Sequence, residues 1–317
     1  MRAAFDEMNG YGEGIREPYR ELAEWLGTQR IDHLASKSTE AEALFRRTGI
    51  TFNVYGTDEA TERLIPFDIV PRILSNAEWR RLEAGIEQRV RALNAFMHDI
   101  YHRQEILKAG RIPADLIIQN SAFVPEMIGC NPPLSIYSHI IGIDIVRTGP
   151  DEFKVLEDNT RTPSGVSYML ENRETMLHMF PDLFAKNRVL PVENYSDNLL
   201  KTLESVAPAN LDADPTIALL TPGRYNSAYF EHAFLADQMG IELVEGHDLV
   251  VHNGVLNMKT TEGLRRVDVL YRRIDDDFLD PLVFRPDSML GVPGVFDIYR
   301  SGRVTLVNAP GAGIADD

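Results

Sequence analysis

The chain has 317 residues, a formal charge of −16 and 44% hydrophobic residues. That length holds two domains or one with a large core, and the composition is that of a globular protein. The acidic balance argues against nonspecific binding to nucleic acid or to an anionic membrane. No apolar run approaches the roughly 20 residues of a membrane helix, and the single cysteine, Cys130, suits a reducing cytoplasm.

The first segment, residues 1–75, reads as helix followed by strand. "EPYRELAEWL" places Tyr19, Leu22 and Leu26 at helical spacing, and "GITFNVY" alternates as a strand does. Ser75 is an N-cap candidate for the clearest helix, in which Trp79, Leu82, Ile86, Val90, Leu93, Met97 and Ile100 form one apolar stripe. A second segment, 76–212, continues from that helix. β-structure is expected from "LIIQN" through "YSHIIGIDIV" to "FKVLEDN", then a helix from about Ser164 to Pro181. "NLDADP" marks a turn-rich boundary.

The third segment, 213–265, changes pattern. "TIALLTPG" is a short apolar strand, "YNSAYFEHAFLADQMG" a helix closed by Gly240, and "IELVEGHDLVV" a second strand. "NGVLNMK" begins on a hairpin turn. This β-α-β order predicts a small α/β unit with a parallel sheet. The last segment, 266–317, carries the strand in "RRVDVLYRRI" and ends in "GRVTLVNAPGAGIADD", a strand and a Gly-rich loop. A chain that stops there is expected to lack part of its C-terminal domain.

One stretch points to chemistry. In "IIGIDIVRTGPDEFKVLEDN" the turn signal is Gly149-Pro150-Asp151. A turn centred between Pro150 and Asp151 pairs residues whose numbers sum to 301, which sets Asp144 across from Glu157. Asn159 shares the face of Glu157, and Asp158 points the other way. Two carboxylates at cross-strand distance raise each other's pKa unless a cation lies between them. Hard oxygen donors with no His or Cys beside them suit Mg²⁺, or Mn²⁺, whose remaining positions water and nucleotide phosphates fill. The competing reading is a solvated hairpin end with Asn159 or Ser164 capping the next helix. Arg161 is placed to meet a phosphoryl oxygen, and Ser164-Gly165 opens a helix whose free N–H groups favour an anion.

Beyond these features, "GIDIVRTGPDEFKVLEDNTRTPSGVSYMLENR" resembles the circularly permuted ATP-grasp proteins of type 2, relatives of the glutathionylspermidine synthetases. The likeness extends through "LLTPGRYNSAYFEHAFLADQMGIELVEGHDL", "VDVLYRRIDDDFLDPLVFRPDSMLGVPG" and "VTLVNAPGAGIADD", and back to "GITFNVYG", "IPFDIVPR" and "ALNAFMHDIY". It implies an α/β (α+β) circularly permuted ATP-grasp fold with a small preATP-grasp-like unit. It further implies an ATP- and Mg²⁺-dependent carboxylate–amine ligase working through an acyl phosphate. By the same resemblance, Asp144, Glu157 and Asn159 match the family's metal-holding Asp and Glu-x-Asn. Two departures stand out. The synthetases carry an arginine just before the metal Asp, where this chain has Gly142 and Ile143, so Arg147 or Arg161 would have to take its place. None of the few lysines sits in an evident nucleotide lid, which leads us to expect an incomplete lid.

The remaining polar motifs flank strand ends. "TPGRYNSAYFEH" offers Tyr225, Asn226 and Ser227 to a substrate carboxylate, or merely caps a turn. In "YRRIDDDFLDP", Arg272 and Arg273 point to opposite faces of a strand, so at most one meets a given site. Arg272 is assigned to substrate and Arg273, with Arg161, to catalysis, against an internal Arg–Asp network as the alternative. His232, on an apolar helix, reads as packed. The expected partner is a small-molecule or peptide substrate, and the runner-up function is a non-catalytic nucleotide- or peptide-binding protein.

Overall fold

The computed structural model describes residues 4–12, 14–53, 62–209, 211 and 213–316, with only the backbone of 51–53 and 62–64. In chain order it holds α1 (Arg20–Thr28), α2 (Ile31–Thr48), β1 (Thr51–Asn53), β2 (Glu62–Leu64), α3 (Asn76–Ile100), α4 (Glu105–Lys108) and α5 (Ala114–Ile118). A hairpin of β3 (Gly142–Gly149) and β4 (Glu152–Asn159) follows, then α6 (Val166–Met179), α7 (Pro181–Lys186) and α8 (Tyr195–Ser205). The rest alternates: β5 (Ile217–Leu220), α9 (Tyr229–Met239), β6 (Glu242–Val244), β7 (Leu249–His252), β8 (Val255–Thr260), β9 (Gly263–Arg266), β10 (Val269–Arg272), α10 (Asp276–Leu279), α11 (Val295–Arg300) and β11 (Thr305–Val307). No helix among the described residues is long and apolar enough to cross a membrane.

Contacts gather the chain into two interleaved units. The first takes the residues up to Gln88, Ile143–Leu156 and Gly165–Glu193. Its core joins Tyr19, Leu22 and Ala41 to Met176, Met179, Phe180 and Leu183, with Trp25 edge-on to Phe180 at 5.1 Å. Tyr19 and Leu22 are the buried face read from "EPYRELAEWL". β1 and β2 pair antiparallel, and the end of the strand expected in "GITFNVY", at Val54 and Tyr55, lies outside the described residues.

Ser75 does cap α3. Its hydroxyl accepts from the Glu78 N–H at 3.3 Å while Glu78 accepts from the Ser75 N–H at 2.9 Å, a reciprocal pair that satisfies two donors at the helix start. The apolar stripe behind it is graded rather than uniform. Trp79 is 38% exposed, whereas Met97 and Ile100 are fully buried.

The second unit takes Arg89–Gly142, Glu157–Ser164 and the chain from Asn194 onward. A four-stranded parallel sheet, ordered β11-β10-β5-β6, forms its centre. β5, β10 and β11 are buried along their whole length, which explains the apolar run of β5 and the mostly apolar β10 and β11. Gly240 ends α9 in the left-handed region at φ 66°. The Asn253-Gly254 turn, at φ 51° and 73°, joins β7 to β8, and β9 completes an antiparallel sheet. One expectation fails. "LIIQN" is not strand: Leu116, Ile117 and Ile118 lie on α5, which starts after Pro113. Only Ile117 is buried, while Leu116 and Ile118 are 63% and 55% exposed. A three-residue apolar run fits a short helix as well as a strand, and the preceding proline favours a helix start.

Candidate functional site

The candidate residues cluster on two kinds of position: the β3–β4 hairpin and the carboxyl ends of the parallel strands. At the hairpin turn, a Cβ built on Gly149 would lie 3.5 Å from the Glu152 Cβ. At its base, a Cβ on Gly142 would lie 3.5 Å from the Asn159 Cβ and 3.1 Å from Pro163. Both index pairs sum to 301, the register read from the turn. A side chain at Gly142 would press on Pro163.

Near the turn, within the first unit, Arg147 is committed. Its guanidinium donates to Gly149 O at 3.1 Å and Glu7 Oε2 at 3.1 Å, and also bonds Glu78 and Pro150 O. Burial raises the Glu78 carboxyl, but Arg147 and Ser75 outweigh it and hold the group below its ordinary range. Arg147 is therefore not available to replace the absent arginine.

Along β4 the three polar residues diverge. Asp158 is buried, and Arg89 Nε bonds both its oxygens at 2.8 and 2.9 Å. Glu157 is exposed and Asn159 half-buried. Asp144 on β3 is exposed as well. Among the described residues neither Asp144 nor Glu157 has an ion pair, although the same strand carries a paired aspartate. No three His, Cys, Asp or Glu side chains among the described residues gather as a metal site. Asp144, Glu157 and Asn159 are a different donor set, two carboxylates and an amide, all hard oxygen donors of the kind Mg²⁺ takes.

After β4 the chain turns through Thr160, Arg161 and Pro163. Arg161 Nε lies 3.4 Å from Asp275 Oδ1 and 3.8 Å from Asp316 Oδ2, and its side chain keeps 38% exposure. A Cβ at Gly313 would lie 3.2 Å from Arg161 Cδ, so that glycine lets the arginine stem lie flat. Ser164 is exposed, and Gly165, in the left-handed region at φ 115°, occupies the N-cap of α6 with no side-chain cap. Neither Asn159 nor Ser164 caps that helix.

The three strand ends of the second unit carry the remaining candidate groups, as open α/β sheets do. After β5, Thr221 Oγ1 meets His232 Nδ1 at 2.8 Å, and burial pushes the His232 pKa down to about 3, with nearby Arg273 adding to the effect. His232 is thus a packed neutral residue, as its apolar helix suggested. Tyr225 is exposed, Arg224 lies over its ring at 5.0 Å, and Asn226 Oδ1 accepts the Ala228 N–H at 2.9 Å; Ser227 is half-buried in the same loop. After β10, Arg272 is wholly buried. It donates to Asn308 O at 2.7 Å, Ile274 O at 2.8 Å and Ala309 O at 3.1 Å, and pairs with Asp276 at 2.6 Å. Arg273 pairs with buried Glu231 at 3.0 Å, meets Tyr271 OH at 3.1 Å and donates to Pro163 O. The two arginines do take opposite sides of the strand, and both are held by protein groups.

The sequence reading missed the residue after β11. Asn308 is buried at the centre of the hydrogen bonds that hold the hairpin's base. His139 beside it has neither ring nitrogen bonded, and burial pushes its pKa down to about 4. The only sequence signal was an Asn before Ala-Pro-Gly, in a loop that reads as a connector.

A family model described as "A circularly permuted ATPgrasp" matches residues 71–317. The chain belongs to that family of circularly permuted ATP-grasp proteins. An uncharacterized protein of Synechocystis sp. is 53% identical over 93% of this chain and 61% of its own length. One of Mycobacterium tuberculosis, also uncharacterized, is 49% identical over 99% of this chain and 56% of its own. A Frankia alni protein named "Putative glutamate--cysteine ligase 2-3" is 38% identical over 99% of this chain and 36% of its own length. The chain thus spans little more than half the length of the Synechocystis and Mycobacterium relatives and about a third of the Frankia one. A glutathione synthetase-like effector of Globodera pallida, in its apo form, superposes with a TM-score of 0.52 at 16% identity, over 86% of this chain and 64% of that one. At that identity the likeness speaks for the fold.

Proposed function

We propose that this chain is the metal- and substrate-bearing part of an ATP- and Mg²⁺-dependent ligase that joins a carboxylate to an amine on an amino-acid or peptide-like substrate. The observation that carries the reading is the contrast along β4. Asp158 has its arginine, whereas Glu157 and, on β3, Asp144 stand exposed with no cationic partner among the described residues. The turn signal at Gly149-Pro150-Asp151, read from the sequence, sets Asp144 across from Glu157. Asp144, Glu157 and Asn159 would hold Mg²⁺, which would neutralise and orient the triphosphate of ATP.

In this reading the substrate carboxylate attacks the γ-phosphorus, ADP leaves, and the amine displaces phosphate from the acyl phosphate. Arg161 keeps a part-exposed side chain beside Asp275 and Asp316, suited to an equatorial phosphoryl oxygen. Tyr225, Asn226 and Ser227 face the substrate carboxylate with the loop N–H groups, and Ser164 and Gly165 lie at the nucleotide. We assign Arg272 and Arg273 to holding the walls of the site, because their guanidinium groups already bind protein oxygens.

Calorimetric titration of Mg-ATP into this chain and into the full-length Synechocystis relative tests the reading. Binding is expected in the full-length protein and is lost on replacing the residue equivalent to Glu157 with Gln. A Gln variant that still turns over Mg-ATP would remove the metal assignment.

A further inference from the structure

All of the residues that follow belong to the second unit, and the inference rests on the proposed metal ligands above. Asn308 is 1% exposed, and both ends of its amide are used. Oδ1 accepts the N–H of His139 at 2.8 Å and of Ile140 at 3.1 Å. Nδ2 donates to Ile140 O at 2.7 Å and Thr160 O at 2.7 Å, with Arg161 O at 3.3 Å. One side chain therefore bridges the segment that enters β3 and the segment that leaves β4.

The bridge is itself anchored. The Asn308 carbonyl accepts from buried Arg272, and Thr160 Oγ1 donates to Ala312 O at 2.7 Å and Asp316 Oδ1 at 2.8 Å. Ser138 Oγ adds a bond to Thr160 O at 2.6 Å. Apart from the Arg272 anchor, these bonds run from the "NAPGAGIAD" segment, or from Ser138, to the residues just outside the hairpin. Asn159 is covalently next to Thr160, and Glu157 lies two residues further along the same strand.

We infer that Asn308 is a positioning residue for the metal site: it fixes the base of the β3–β4 hairpin so that Glu157 and Asn159 hold their geometry for a divalent cation. Only an amide supplies these bonds. Aspartate keeps the acceptor but sets a carboxylate against the Ile140 and Thr160 carbonyls, and leucine keeps the volume but removes the acceptor of two N–H groups and the donor that ties those two carbonyls together. Groups that orient metal ligands from behind typically change metal affinity by 10–100-fold when removed.

The test is Mn²⁺ binding followed by electron paramagnetic resonance, on the whole chain, for the wild type, Asn308→Ala, Thr160→Val and Glu157→Gln. Near-UV circular dichroism identifies the variants that remain folded. Folded Asn308→Ala is expected to bind Mn²⁺ about 10-fold or more weakly, and Thr160→Val to weaken it in the same direction. Unchanged affinity in folded Asn308→Ala overturns the inference while leaving the ligand assignment intact. If Asn308→Ala does not fold, Thr160→Val decides by the same criterion. Wild-type binding that is absent, or that Glu157→Gln does not reduce, overturns the ligand assignment and this inference together.

Discussion

"RRIDDD" and "LEDN" look alike on paper, each a cluster of charge at the end of a strand, yet the structure treats them in opposite ways. In the first, Arg272 pairs with Asp276, whose second oxygen accepts the Gly311 N–H at 2.9 Å, and Arg273 pairs with Glu231. Further on, buried Asp280 accepts three backbone N–H groups, from Leu282, Gly294 and Phe296. Those charges fix turns and loops. In the second, Asp158 alone is paired and Glu157 faces solvent. Charge density therefore says little about function. What matters is whether each charge has already found a partner within the chain.

The sharpest way to break this contrast is to remove a paired charge. Arg272→Met leaves Asp276 buried without its cation and three carbonyls without a donor. It is expected to cost about 3–5 kcal/mol, read from urea unfolding midpoints. A loss below about 1 kcal/mol would show that the network is not structural.

Acid comes next. The folded pKa values of His232 and His139 are pushed down to about 3 and about 4. Unfolded histidines titrate near 6.5, so between these values the unfolded chain binds more protons and stability falls as pH falls. From pH 6.5 to 5, each histidine should remove about 2 kcal/mol. Unfolding curves at pH 7.5, 6 and 5 would show this, and His232→Gln should remove part of the slope.

Arg89→Ala tests the paired carboxylate of "LEDN" itself. It leaves Asp158 buried and unbonded, with an expected loss of about 1–3 kcal/mol, discounted toward the low end because Arg89 is partly exposed. Glu157→Gln, one residue away, should change stability by no more than about 0.5 kcal/mol, since that side chain has no ion pair to lose among the described residues. Thermal melts of the two variants side by side measure the contrast. Equal losses would mean that Glu157 is structural too.

Much of this was legible in the sequence because the signals were local. The Ser75 cap, the α3 period, the buried runs of β5 and β10 and the Pro150 turn each depend on residues within a few positions of one another. The family likeness in "LEDNTRTPSG" was equally readable, and the family match agrees with it. "LIIQN" was misread because three apolar residues carry no period. Asn308 was invisible for a different reason: the partners of its side-chain amide lie 147 to 169 residues away, and no composition or spacing marks a bond of that range. The interleaving of the two units leaves no compositional trace either, since the chain passes between them inside α3, inside both strands of the hairpin, and after Ser164 and Glu193.

The lone thiol offers a different use of the same structure. Cys130 is half-buried, and burial pushes its pKa up, with Arg300 only partly opposing the shift. Only the thiolate attacks an alkylating reagent. In the native protein that reaction should be slow, and each opening of the surrounding segment should release a fast-reacting group. Alkylation kinetics would thus time the local breathing of the Tyr137 neighbourhood, where Tyr137 OH bonds the Cys130 carbonyl at 3.0 Å, with no label added and no second cysteine to confuse the signal.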